Sequence, residues 1–298
     1  MFHKDYVDER AAPQEHVPEV RIKSAAISYL SAHLLKQDCV SPHPSLPYLG
    51  HMPEPFLTAE WRALLMVNYA IDPAVLEPYL PRGVELDLWQ GEALASMVGF
   101  LFLKTRVLGV PVPFHQDFEE VNLRFYVRRR TPEGWQRGVV FVRELVPRLA
   151  IAMVARVIYN EPYLAVPMRH RVPSGFRESA GRGERTGDFE FGWRYRGRWH
   201  TLSARTAGEP QPLAPGGAAE FIFEHYWGYT RQRDGGTVEY QVEHPRWRIW
   251  EAERAHLECD IAALYGPAFV LALSAPPRSA FVAEGSPVLV RRGVRVED

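Results

Sequence analysis

Phe118-Glu119-Glu120-Val121-Asn122-Leu123-Arg124-Phe125-Tyr126-Val127 alternates with a period of two. That is the repeat of a β-strand, whose successive side chains leave opposite faces. Val121, Leu123, Phe125 and Val127 form an apolar face that requires a core. Glu120, Asn122, Arg124 and Tyr126 form the other face. It carries a carboxylate, an amide, a guanidinium and a phenol in a row, not the Lys/Glu/Thr mixture of a wetted strand. Such a row lines a cavity or faces water, and that choice decides whether the strand carries a site.

Outward from this strand the pattern stays β-rich. Trp61 to Ala70 reads as a strand, followed by a short helix capped by Asp72 with Pro73 at its first position. The segment from Val84 to Leu103 reads as a hairpin about a Gln90-Gly91 turn. After a turn at Pro132-Glu133-Gly134 comes Gly138 to Val146, again a strand. Pro147 to Tyr163, rich in Ala, Leu and Met, predicts a buried helix. Phe189 to Tyr195 and Arg198 to Ala204 pair across Arg196-Gly197 as a hairpin. Glu220 to Thr230 and Thr237 to Trp250 add strands about a turn at Asp234-Gly235-Gly236. A short helix near Cys259 to Tyr265 precedes two final strands joined at Glu284-Gly285-Ser286-Pro287. About ten to twelve strands without a βαβ rhythm predict a mainly β fold with a few helices. Closure of an antiparallel sheet into a barrel or nearly so, or a two-layer sandwich, accommodates that number.

Residues 1 to 53 differ from the rest, with a Pro-rich run from Ser41 to Gly50. They read as an N-terminal extension, partly disordered or draped over a single domain spanning 54 to 298. With 46% apolar and 24% charged residues and a formal net charge of -1, the chain has no general pull toward nucleic acid or an anionic membrane. Cys39 and Cys259 are the only cysteines, and no apolar run reaches the length of a membrane span. The N-terminus lacks the apolar core of a secretion signal. The expected compartment is the cytoplasm. There is no His/Cys cluster with ligand spacing, no Walker loop, no G-x-G-x-x-G after a strand and no G-x-S-x-G elbow. Neither a metal nor an organic cofactor is expected.

The segments Phe56 to Tyr69, Leu80 to Gly91, Glu120 to Val127, Phe221 to Tyr229 and Ser279 to Val288 resemble the YqjF-like family of uncharacterised conserved proteins. The resemblance runs from about Phe56 to Val296. That family is similar in fold to acetoacetate decarboxylase, which implies an antiparallel barrel around a small-molecule pocket. Acetoacetate decarboxylases form a Schiff base through a lysine that follows Gly-x-Pro. The nearest analogue here is Leu145-Val146-Pro147-Arg148, with an arginine at the lysine position. A guanidinium stays protonated and cannot act as an amine nucleophile. Of the four lysines, Lys4, Lys23 and Lys36 lie in the extension and only Lys104 lies in the domain, where it reads as a solvated strand-end residue.

The candidate ligand-binding residues are therefore Asn122, Arg124, Tyr126 and Glu120, with His225 and Tyr226 from an aromatic run as pocket-lining candidates. An inward arginine binds a carboxylate or phosphate bidentately. Glu144 is the candidate acid or base, and Arg148 a second catalytic candidate. Arg143 and Glu144 are adjacent on a strand, so only one of them looks inward. An Arg124–Glu144 ion pair is the structural alternative. Arg156 reads as a paired core arginine and His115 as a residue of a lid loop. The expectation is a protein that binds a small anionic organic molecule, and, if an enzyme, a lyase or hydro-lyase without imine chemistry. A non-catalytic sensor and a structural or oligomer-forming protein with a filled barrel are the competing classes.

Overall fold

The apolar face of the opening stretch does meet a core. In a computed structural model, which describes residues 55–111, 115–147, 160–176 and 187–297, the stretch begins the strand Phe118–Thr131. Numbered along the chain, the strands are Pro55–Ile71 (β1), Glu85–Leu86 (β2), Ala93–Val107 (β3), Val110–Pro111 (β4), Phe118–Thr131 (β5) and Gly134–Val146 (β6). Tyr163–Ala165 (β7), Met168–Arg171 (β8), Gly187–Tyr195 (β9), Arg198–Thr206 (β10) and Gln211–Pro212 (β11) follow. The last are Trp227–Arg231 (β12), Thr237–Glu243 (β13), Arg248–Glu258 (β14), Ser279–Arg291 (β15) and Val294–Arg295 (β16).

The order β13-β12-β6-β5-β3-β1-β15 forms a partial ring of seven strands. A short β13–β15 pairing, Val242 with Val290 and Glu243 with Leu289, links its two ends. Beyond β15 the sheet continues through β14, β10 and β9 to β8. Most pairs are antiparallel, but β6 pairs in parallel with both β7 and β12.

The two faces of the ring strands enter different cores. Val121, Leu123, Phe125 and Val127 are fully buried with Phe189, Phe191 and Trp193 of β9 and Leu202 of β10. Each such side chain contributes roughly 2 kcal/mol of burial. Glycine at 99 is required there, because a Cβ would lie 2.6 Å from the Phe191 ring. On the other face Phe118 and Tyr126 pack with Met66, Phe100, Phe221 and Phe281. The row containing Glu120, Asn122 and Arg124 shares that second face, so it is enclosed by protein.

Several expectations need correction. Ala218–Phe223 is a helix, not the start of a strand, and β12 begins only at Trp227. Glu284-Gly285-Ser286-Pro287 is no turn: β15 runs straight through it, pairing with β1 on both sides. The turn at Gln90-Gly91 is present, with positive φ at both residues, but its hairpin is reduced to a Trp89–Glu92 bridge. Its first arm, β2, pairs instead with β5. Of the predicted helix Pro147 to Tyr163, residues 148–159 lie outside the described residues. Glu161 and Pro162 are irregular and Tyr163 opens β7. Arg148 and Arg156 fall in that stretch, and Cys39 in the N-terminal one, so all three lie outside the described residues.

Candidate functional site

Glu144, not Arg143, looks to the enclosed side. Asn122 of β5 pairs with Glu144 of β6, and a bulge follows: Leu123 opposes Arg143, Arg124 opposes Phe141, and Val142 is the extra residue. Arg143 thus shares the face of Leu123, whereas Glu144 shares that of Asn122 and Glu120. On its other side Glu144 pairs in parallel with Tyr163 of β7.

These pairings gather a group of buried acids. Glu120 accepts from Asn122 Nδ2 at 2.9 Å on one oxygen and from the Tyr163 hydroxyl at 3.1 Å on the other. Glu161, from the irregular segment before β7, accepts from Thr230 Oγ1 at 2.5 Å and the Tyr240 hydroxyl at 3.0 Å. Burial pushes Glu120 up to about 7, although Asn122, Tyr163 and the charge of Arg124 pull it down. Glu161 is likewise pushed up to about 7 by burial, against its hydrogen bonds from Thr230 and Tyr240. Glu144 lies well above the ordinary carboxylate range, first through burial and then through the charges of Glu161 and Glu120. Among the described residues no group of three or more His, Cys, Asp or Glu has metal-holding geometry.

Arg124 stands two residues along the same face. Its side chain does not meet Glu144. Its contacts are an Nη2 approach to Met66 Sδ at 3.6 Å and the Tyr126 ring, 5.8 Å from Cζ. Among the described residues its buried Nε has no hydrogen-bond partner. The Asn122 Oδ1 and Glu144 Oε2 atoms also receive no donor there.

Tyr126 is tied into a polar chain: its hydroxyl lies 2.6 Å from Ser96 Oγ, and Ser96 donates to Asn68 Oδ1 at 2.6 Å. Since the Ser96 proton is used toward Asn68, Tyr126 is the donor to Ser96. His225 packs on the Tyr126 ring at 4.7 Å, and its Nε2 lies 3.1 Å from Asp87 Oδ2. Asp87 also accepts from Arg137 Nε at 2.6 Å. Burial lowers the His225 pKa to about 4, against the Asp87 hydrogen bond that raises it, so the imidazole is neutral near pH 7. Tyr226 is placed elsewhere: its hydroxyl donates to Glu224 at 3.0 Å and its ring packs on His244.

Lys104 sits at a bulge of β3 with φ 55, its side chain 67% exposed and its Nζ 2.5 Å from Glu60. His115 is half-buried in the loop before β5. Sequence reasoning missed Glu161, Tyr163 and Asp87. The signal for the first two was Pro162, which disfavours helix at the residue before it. Asp87 joins His225 across 138 positions of chain, and no local pattern marks that pairing.

A family profile for an uncharacterized conserved protein matches residues 58–287. The uncharacterized protein YqjF of Bacillus subtilis (strain 168) is 27% identical over 194 residues, 65% of this chain and 74% of that protein. Among solved structures, acetoacetate decarboxylase from Legionella pneumophila subsp. pneumophila strain Philadelphia 1 has a TM-score of 0.58 at 15% identity, covering 89% of this chain and 96% of that one. The enduracididine biosynthesis enzyme MppR, solved with pyruvate, has a TM-score of 0.59 at 16% identity, covering 87% and 99%. An acetoacetate decarboxylase-like enzyme from Sphingomonas wittichii RW1 has a TM-score of 0.56 at 15% identity, covering 87% and 100%. At these identities the likeness is one of fold.

Proposed function

The chain belongs to the DUF2071 family of uncharacterized conserved proteins, and we propose that it binds a small anionic organic molecule on the enclosed face of β5, with Arg124 as anchor. The observation that carries the reading is the state of Arg124. It lies on an enclosed face, its Nε is buried without a partner, and its Nη2 rests on a thioether sulfur. Among the described residues no carboxylate forms a salt bridge with it. A half-buried guanidinium whose Nε is buried without an acceptor has hydrogen-bonding capacity to spare, and a ligand carboxylate offers it two parallel hydrogen bonds. That MppR was solved with pyruvate supports a ligand of this size and charge on this fold.

Glu144 is the acid we assign to the same molecule. Burial raises its pKa well above the ordinary carboxyl range, so it holds a proton more firmly than a solvated glutamate, beside Glu120 whose pKa of about 7 leaves it partly ionised. Such a pair serves a lyase or hydro-lyase reaction. In a dehydration, Glu144 would give its proton to the leaving hydroxyl as the C–O bond breaks. Glu120 would take the proton from the neighbouring carbon, leaving a C=C bond and water. An imine step has no support from Lys104, which is exposed and held by Glu60. The aromatic fill of the same face, with Phe100, Phe102, Phe118 and Trp61 in mutual contact, favours a second reading, a structural protein with a filled interior. The cytoplasm remains the compartment we propose, and assembly into a homo-oligomer is compatible with either reading.

Mass spectrometry of small molecules released from the purified protein tests the proposal. We expect an organic acid in the wild type and roughly 100-fold weaker retention in Arg124→Ala, the loss of a bidentate charge-assisted pair of about 3 kcal/mol. No bound acid in the wild type, or equal occupancy in the variant, would refute it and leave the filled interior.

A further inference from the structure

Resting on the reading of Arg124 as an acid's anchor, we infer that the molecule bound is a hydroxy acid, its hydroxyl donating to the side-chain oxygen of Asn122. Asn122 is 2% exposed, and its Oδ1 has no donor among the described residues. The Nδ2 donates to Glu120 Oε1 at 2.9 Å while Tyr163 donates to Glu120 Oε2, so against ionised Glu120 a flipped amide would set oxygen on oxygen. With Glu120 ionised the network sets the orientation, and a buried acceptor without a donor among the described residues lies on the same face as Arg124.

The spacing matches the length of one small molecule. Asn122 and Arg124 are two residues apart on one strand face, about 7 Å along it. A carboxylate on the guanidinium and a hydroxyl on the amide oxygen are thus the two ends of one short acid. Glu144, the cross-strand partner of Asn122, borders the hydroxyl end. An ammonium group is the other donor that could satisfy Asn122 Oδ1. It would need an anion free to face it, and Glu120, the acid beside Asn122, has both oxygens engaged by Asn122 and Tyr163 and a pKa raised by burial to about 7. The hydroxyl needs no charge and is the better match.

Calorimetric titration of the wild-type protein with pairs of acids that differ by one hydroxyl tests this: lactate against propionate, 3-hydroxybutyrate against butyrate, malate against succinate. The expected result is at least tenfold tighter binding of the hydroxylated member in one or more pairs, because the deoxy analogue leaves a buried acceptor unpaired. In Asn122→Ala the same pair should lose that preference while the carboxylate still binds. Should this variant not fold, the wild-type comparison decides alone. Equal affinity within every pair, with all binding lost in Arg124→Ala, overturns the hydroxy-acid inference and leaves the anchor standing. Alanine or 3-aminobutyrate binding more tightly than its hydroxy counterpart also overturns it. Binding of no acid, or binding that survives Arg124→Ala, overturns the anchor and the inference with it.

Discussion

Glutamine in place of Glu144 is expected to raise the stability of the protein, more at pH 8 than at pH 5. Three glutamates, Glu120, Glu144 and Glu161, are buried together with carboxyl pKa values above the ordinary range. In the unfolded chain each ionises near its usual value of about 4.3. Between that value and the raised folded one, the folded state binds more protons than the unfolded state. Stability therefore falls as pH rises, by about 1.4 kcal/mol per unit for each group in its window. For Glu120 and Glu161 the window closes near pH 7, and for Glu144 it likewise opens above the ordinary carboxyl value. Glutamine keeps the shape of the neutral acid and never ionises, so the variant should gain on the wild type as pH rises through the Glu144 window and show the shallower slope. His225 slopes the other way: with its folded pKa lowered to about 4, its contribution is present above about pH 6.5 and lost as pH falls toward 4. Because His225 is common to both proteins, it cancels in their difference. Urea unfolding of both at pH 5, 6.5 and 8 reads the result, and parallel pH slopes for the two proteins would sink the argument. If Glu144 is the acid of a reaction, the variant that gains stability is also the one that loses turnover, the trade expected where a site holds groups the fold would rather not bury.

The alternation of Phe118 to Val127 was legible because a period of two is a local property, and it correctly separated a core face from a polar one. It could not say that the polar face was enclosed. That depends on β3 and β6 flanking the strand, and on the helix Ala218–Phe223 bringing Phe221 against Tyr126. The helix itself was misread because Phe and Ile favour strands. The sequence Gly216-Gly217-Ala-Ala-Glu before them is a plausible helix start that propensity concealed. The orientation of Glu144 was undecidable by parity, since the extra residue Val142 shifts the count along β6. Glu161 was hidden in a run read as helix. Its donors, Thr230 and Tyr240, come from strands 69 and 79 positions away, and no spacing in the sequence announces them.

Alanine in place of Gly285 is expected to cost on the order of 4 kcal/mol of folding stability. The sequence Glu284-Gly285-Ser286-Pro287 suggests a turn, yet Gly285 lies inside β15 opposite Arg62 of β1. Its φ of +85 is already a left-handed value that an L residue adopts at a cost of about 1–2 kcal/mol. In addition, a Cβ there would lie 2.0 Å from the backbone oxygen of Trp61. No rotamer relieves a clash with a carbonyl, so β1 and β15 must separate. The buried Arg62 donates to the Gly285 carbonyl at 3.0 Å, and that bond would be strained as well. Gly83→Ala isolates the conformational part: its φ is +80, and a Cβ there meets nothing within 4 Å. It should lose only the conformational cost, about 1–2 kcal/mol. Chemical denaturation of the two variants side by side measures the difference, and losses equal within about 0.5 kcal/mol would mean that β1 yields without penalty. The same displacement reaches the candidate site, because Met66, four residues beyond Arg62 on β1, is the side chain on which Arg124 rests. Gly285→Ala should therefore weaken acid binding as well as folding, whereas Gly83→Ala should leave binding unchanged.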